Sequence, residues 1–199
     1  MHIIVVLLVS IKLVYTKKNF KGNRDMDLDL LLLILVGGIP VLSSYLHLYN
    51  RIYEEDSRIS TDALLQPFVK DGNNSWKYLW YFTSLLTVAS YIYIFIEFAI
   101  NDVLEEDWQR SVLVVSYTLF LSNACQYTHV TMTDLAMNSK SYYLQYNLYA
   151  VAVASVGFLI VAIALGNAWL IAATIIIVLH HFVMDAVLWY NGFLEYEGL

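Results

Sequence analysis

One cysteine and two prolines are all that a chain of 199 residues supplies. With Cys125 alone, an intrachain disulfide and a CxxC metal motif are excluded, and the thiol reads as a small buried side chain. Two prolines and eight glycines are too few to punctuate the short alternating strands of an outer-membrane barrel. Charge is scarce as well: 11 Lys and Arg stand against 17 Asp and Glu, with no dense basic stripe interleaved with aromatics, which excludes nucleic acid as a partner. HExxH, GxSxG, GKS or GKT and GxGxxG are all missing, so the familiar hydrolase and nucleotide motifs give no foothold. The last apolar run contains no lysine, which removes a retinal protein.

Apolar residues fill the space left by these absences. They make up 59% of the chain, and a mean hydropathy of +0.59 exceeds what a soluble domain of this length could bury in one core. The expectation is an all-α, polytopic integral membrane helix bundle with the lipid bilayer as its principal partner. Six spans fit the pattern, at about 3–15, 28–49, 76–100, 111–137, 146–165 and 168–190, in one transmembrane domain covering 1–199, with a polar loop over 50–75. The first is short, and Lys12 in it would snorkel to the surface. "VGGIP" in the second predicts a kink at Pro40, and Gly166-Asn167 predicts a tight antiparallel hairpin between the last two spans. Trp76, Tyr78, Trp80 and Tyr81 open the third span as rings anchored at headgroup level. Lys and Arg divide evenly between the two sides. The densest cluster, Lys17 to Arg24, points to that loop as cytoplasmic.

Polar groups inside these runs need an account, because an unpaired polar group in hydrocarbon costs several kcal/mol. In "VLHHFVMDAVLWYNG" the helical repeat puts His181, Asp185 and Trp189 on one stripe and turns His180 about 100° away from it. On the fourth span Asn123, Gln126, Tyr127 and Asp134 share a broad face, with His129 on a neighbouring edge. The second span adds Ser43, Ser44 and His47, and the third adds Glu97. On one reading these groups bond across helix interfaces as a polar seam. On another, His181, His129 and Asp185, with His47, converge on a non-haem metal ion, for which imidazole and carboxylate are suitable donors. A third reading, proton-linked transport through Glu97, Asp134 and Asp185, is weakened by the lack of an inverted repeat.

Two fragments carry a resemblance. "LHHFVMDAVLW" resembles the closing motif of a group of bacterial multi-pass membrane proteins that end in HHxxxDxxxW, and "SNACQY" (Ser122 to Tyr127) partly matches a His-containing segment ending in Gln-Tyr in the same group. Both fragments are also similar, more distantly, to membrane-embedded bacterial β-carotene dioxygenases. That second resemblance implies an iron held by histidines from several helices and an oxygenase acting on a lipophilic polyene. Only His180 or His181, with Asp185, matches directly; Asn123 and Tyr127 stand where that family has ligand histidines. The residues and the resemblance together favour a small non-catalytic component of a membrane assembly, in contact with other membrane subunits. A metal-dependent oxygenase-like enzyme is the alternative.

Overall fold

The structure, a computed structural model, describes residues 27–52, 75–101, 103–137 and 142–195; within these, the side chains at 45, 48–52, 127–129, 131–137 and 193–195 lie outside the description. The expected span at 3–15, the basic run Lys17 to Arg24 and most of the polar loop also lie outside it. All regular structure among the described residues is helical: α1 (Leu28–Ile52), α2 (Ser75–Phe95), α3 (Asp107–Met137), α4 (Tyr142–Leu165), α5 (Ala168–Leu179) and α6 (Tyr190–Glu195). Two π-helical segments complete it. Ile96–Ile100 extends α2, and His180–Trp189 joins α5 to α6.

Helix boundaries follow local chemistry. The Asp27 carboxylate accepts from Leu30 N–H at 3.0 Å and caps α1, while Gln109 reaches back from the first turn of α3 to accept from the N–H groups of Glu105 (2.8 Å) and Glu106 (3.1 Å). α4 ends at Gly166, whose φ of +66° is a left-handed conformation that glycine adopts without strain. Asn167 then caps α5 by accepting from Trp169 N–H (3.0 Å) and Leu170 N–H (3.2 Å). The expected hairpin is therefore present. α1 continues without a break through Pro40, and Gly37 serves packing: a Cβ there would lie 2.6 Å from Leu121 Cδ1, whereas one on Gly38 would meet open space.

Among the described residues, three helices, Ser75–Ile100, Tyr142–Leu165 and Ala168–Gly192, are long and apolar enough to cross a membrane. α1 contributes a shorter apolar stretch, Leu28–Ser44, and the polar residues of α3 keep its 31 residues out of that class. Length and composition therefore support three of the six expected spans among the described residues.

Contacts fix the helix directions. Arg110 at the start of α3 pairs with Asp27 at the start of α1, and one level further along Leu121 faces Gly37, so α1 and α3 run parallel. A Cβ on Gly157 would collide with Ser116 Oγ, which places the end of α4 beside the beginning of α3, antiparallel to it. The hairpin reverses α5 against α4, and Trp80, near the start of α2, meets Asp185, near the end of the α5 extension. The five long elements alternate in direction. Phe98, Phe158, Leu30, Leu33, Ile94 and Leu113 fill the centre, each at most 0–1% exposed. Outward lie Leu35, Ile39, Phe82, Leu85, Val153 and Ile163, an apolar exterior that water would penalise and lipid would not.

Candidate metal centre

His180 begins a π-helical segment, and its wider turn decides which side chains meet. Bonds here run from residue i+5 to residue i, as from Tyr190 N–H to the Asp185 carbonyl. In an α-helix, residues five apart lie about 140° apart around the axis. The widened turn closes that angle, so Asp185 faces both histidines. His181 Nδ1 lies 2.9 Å from Asp185 Oδ2, and His180 Nε2 lies 3.7 Å from the same oxygen. The expectation that His180 points away from the stripe is corrected by this local change of helical repeat.

α2 supplies the surroundings. Trp80 Nε1–H donates to Asp185 Oδ1 at 3.0 Å, Thr83 Oγ1 lies 3.1 Å from His180 Nδ1, and the Tyr91 hydroxyl lies 3.1 Å from His181 Nε2. Each of the three groups is thus held at its outer atom by one α2 side chain. His180 Nε2, His181 Nδ1 and Asp185 Oδ2 are left facing one another, and one ligand atom from each residue fits within a 4.8 Å span. Partners of this kind, on the far atom of each ligand, fix ring orientation and tautomer in metal sites.

One tautomer of His180 suits an ion. With the Thr83 hydroxyl donating to the carbonyl of Leu79 (3.0 Å) or Trp80 (3.1 Å), its oxygen accepts from His180, and the neutral ring then carries its proton on Nδ1. Its Nε2 presents a lone pair toward a carboxylate oxygen at 3.7 Å, with Ser84 Oγ at 3.5 Å. Two acceptors facing each other across such a gap are the arrangement that a cation between them stabilises.

Aromatic rings close the site. Phe120 of α3 meets the His181 ring edge-on at 5.5 Å between centroids, and the Trp80 ring lies 6.2 Å from that of His180. The side chains of His180, His181 and Asp185 retain 6%, 12% and 19% of their exposure, so the carboxylate is the most open of the three.

Of the other expected site residues, those with described side chains are not brought here. His47 is exposed on α1, a helix that packs against α3 and the Ile96–Ile100 turn. Asn123 and Gln126 satisfy their amides within α3, donating to the carbonyls of Leu119 (2.7 Å) and Ser122 (3.0 Å). The side chains of Tyr127, His129 and Asp134 lie outside the described residues. Glu97 sits in the other π-helical turn and accepts from Asn101 at 3.3 Å. Sequence reasoning looked to the fourth span for a partner helix, whereas α2 provides it. The signal was there: Trp80, Thr83 or Ser84, Thr87 and Tyr91 recur every three or four residues along an otherwise apolar span.

Comparison with known proteins returns no match among family models, curated proteins or solved structures.

Proposed function

We propose that this chain is a multi-pass integral membrane protein that holds one divalent transition-metal ion through His180 Nε2, His181 Nδ1 and Asp185 Oδ2. The observation that carries the reading is the division of labour within the three groups: inner atoms converge within 4.8 Å while α2 engages each outer atom. Two imidazoles and one carboxylate with positions left open suit non-haem iron(II) and zinc. Such a centre supplies polarisation of an oxygen donor, or activation of water or oxygen, beside lipid-soluble molecules. This favours the metal-dependent reading over the non-catalytic one that the sequence preferred, with His180 replacing His129 and His47 in the ligand set. Alternating helix directions support spans for α1 and α3, and residues 3–15 would add the sixth.

A second reading keeps a specific observation of its own. Every polar atom of the cluster has a partner within the chain, so the same side chains could serve as a fixed joint between α2 and α5 in a non-catalytic component of a larger membrane assembly. Metal analysis of the purified protein separates the two. The metal reading expects about one equivalent in the wild type and loss in both His180→Ala and His181→Ala, with helix content unchanged by circular dichroism. A folded wild type that takes up no stoichiometric iron, zinc or cobalt sinks it in favour of the joint.

A further inference from the structure

The depth of the centre limits what can reach it. On α2, Lys77 and Glu97 are the charged residues at the two ends of the apolar stretch, and 20 residues of helix rise about 30 Å, the thickness of a hydrocarbon core. Exposed rings mark the same boundaries: Trp76, Tyr78, Tyr142 and Tyr146 at the end where α2 and α4 begin, and Trp108 and Trp169 at the other. Asp185 lies level with Trp80, three residues inside Lys77, and His180 lies level with Thr83 and Ser84. At about 1.5 Å per residue Asp185 and His180 sit roughly 5–10 Å inside that boundary, while His181 is bonded to Tyr91, whose backbone lies about 20 Å inside it, so the cluster meets the headgroup side at its carboxylate and extends toward the midplane at His181. Asp185, the most exposed of them, is also the nearest to that boundary.

Charge narrows the choice further. Two neutral imidazoles and one carboxylate leave a divalent ion with a net charge of +1, which one anionic oxygen donor neutralises. Lys77 stands one turn outward of Trp80 on the same face of α2, half-buried, and adds a second positive charge on the route from the headgroup region. We propose, resting on the metal reading above, that the centre accepts the head of a single-chain anionic amphiphile, a long-chain carboxylate, entering from the leaflet that contains the start of α2. Its chain lies among lipids while its carboxylate completes the coordination. A wholly apolar ligand supplies no anionic donor to neutralise the ion.

The test uses full-length protein loaded with Co²⁺ in phosphatidylcholine nanodiscs, with cobalt stoichiometry measured before and after each titration. Hexadecanoate, hexadecanol and acetate are titrated while the ligand-field absorption of the ion is read. Hexadecanoate is expected to change the spectrum at a bulk concentration at least about tenfold below that of acetate, because only the long chain concentrates in the leaflet. Hexadecanol, equally membrane-bound but uncharged, is expected to leave the spectrum unchanged, and Lys77→Gln to raise the hexadecanoate concentration needed several-fold. Acetate acting as well as hexadecanoate means access from water, hexadecanol acting as well means that charge is irrelevant, and silence from all three means that no such ligand binds; each overturns the proposal. Cobalt bound without a response to hexadecanoate removes this inference alone. A protein that binds no cobalt removes the metal reading and this inference with it.

Discussion

Thr83 does more than fill space beside a histidine. With its hydroxyl proton on a main-chain carbonyl, its oxygen accepts from His180 Nδ1–H and leaves the lone pair on Nε2, the tautomer that a bound ion requires. Replacing it in Thr83→Val preserves the shape and removes the acceptor, so metal affinity should fall by about 10- to 100-fold, the usual effect of losing a partner on the far atom of a ligand. Competition with a chromophoric chelator measures this, and an unchanged affinity would mean that the tautomer is fixed by something else. At this scale the sequence was informative about His181 and Asp185, because a spacing of four survives in both α and π geometry. It misplaced His180 because nothing in the residue types of "LHHFVMDAVLW" announces a change of helical repeat. The α2 side chains went unrecognised for a different reason: Trp80, among other aromatics at the start of a span, has an interfacial role that hides a hydrogen bond to a carboxylate.

The π-helical segment is what converts neighbouring residues into a cluster, which makes the element itself testable. Deleting Val183, whose side chain is exposed, should return the segment toward α-helical register, rotate His180 off the shared face and abolish metal binding while circular dichroism reports the same helix content. Retained metal would show that the widened turn is incidental. Elsewhere, small residues set how closely helices approach. In Gly157→Leu the new side chain would enter the volume of Ser116, and overpacking of this kind costs about 1–3 kcal/mol, read as a lower midpoint of thermal unfolding in detergent. Adding Ser116→Gly to that variant should recover part of the loss; no recovery would place the strain elsewhere. Helix positions were largely legible in advance: 146–165 was expected where Tyr142–Leu165 is found, and 111–137 where the structure has Asp107–Met137. The starts were set too late because the polar and aromatic first turns of α3 and α4 read as connection, whereas Gln109 and the helix ladder already hold them.

Across the whole molecule, the open question at the level of composition is α3, which joins two halves but is too polar to qualify as a span by itself. Its neighbours answer it. α1 lies parallel to α3 and α4 antiparallel, the pair of buried Asp27 and half-buried Arg110 ties the first two at one end, and Gly157 lets the third approach near the same end. If α4 crosses the bilayer, α3 must cross it too, since the connection between them begins at the far end of both helices. Among the described polar side chains of α3, Thr118, Ser122, Asn123 and Gln126 bond back to carbonyls one turn earlier, so these groups have their donors paired within the helix. Single cysteines at exposed positions in a Cys125→Ser background test this arrangement in sealed, oriented vesicles with an impermeant maleimide. Ser111→Cys and Trp169→Cys, at the start of α3 and the start of α5, should label from one side, and Tyr142→Cys, at the start of α4, from the opposite side. Labelling of Ser111→Cys and Tyr142→Cys from the same side would mean that α3 does not cross, and the alternation on which the depth of the metal centre depends would fail with it.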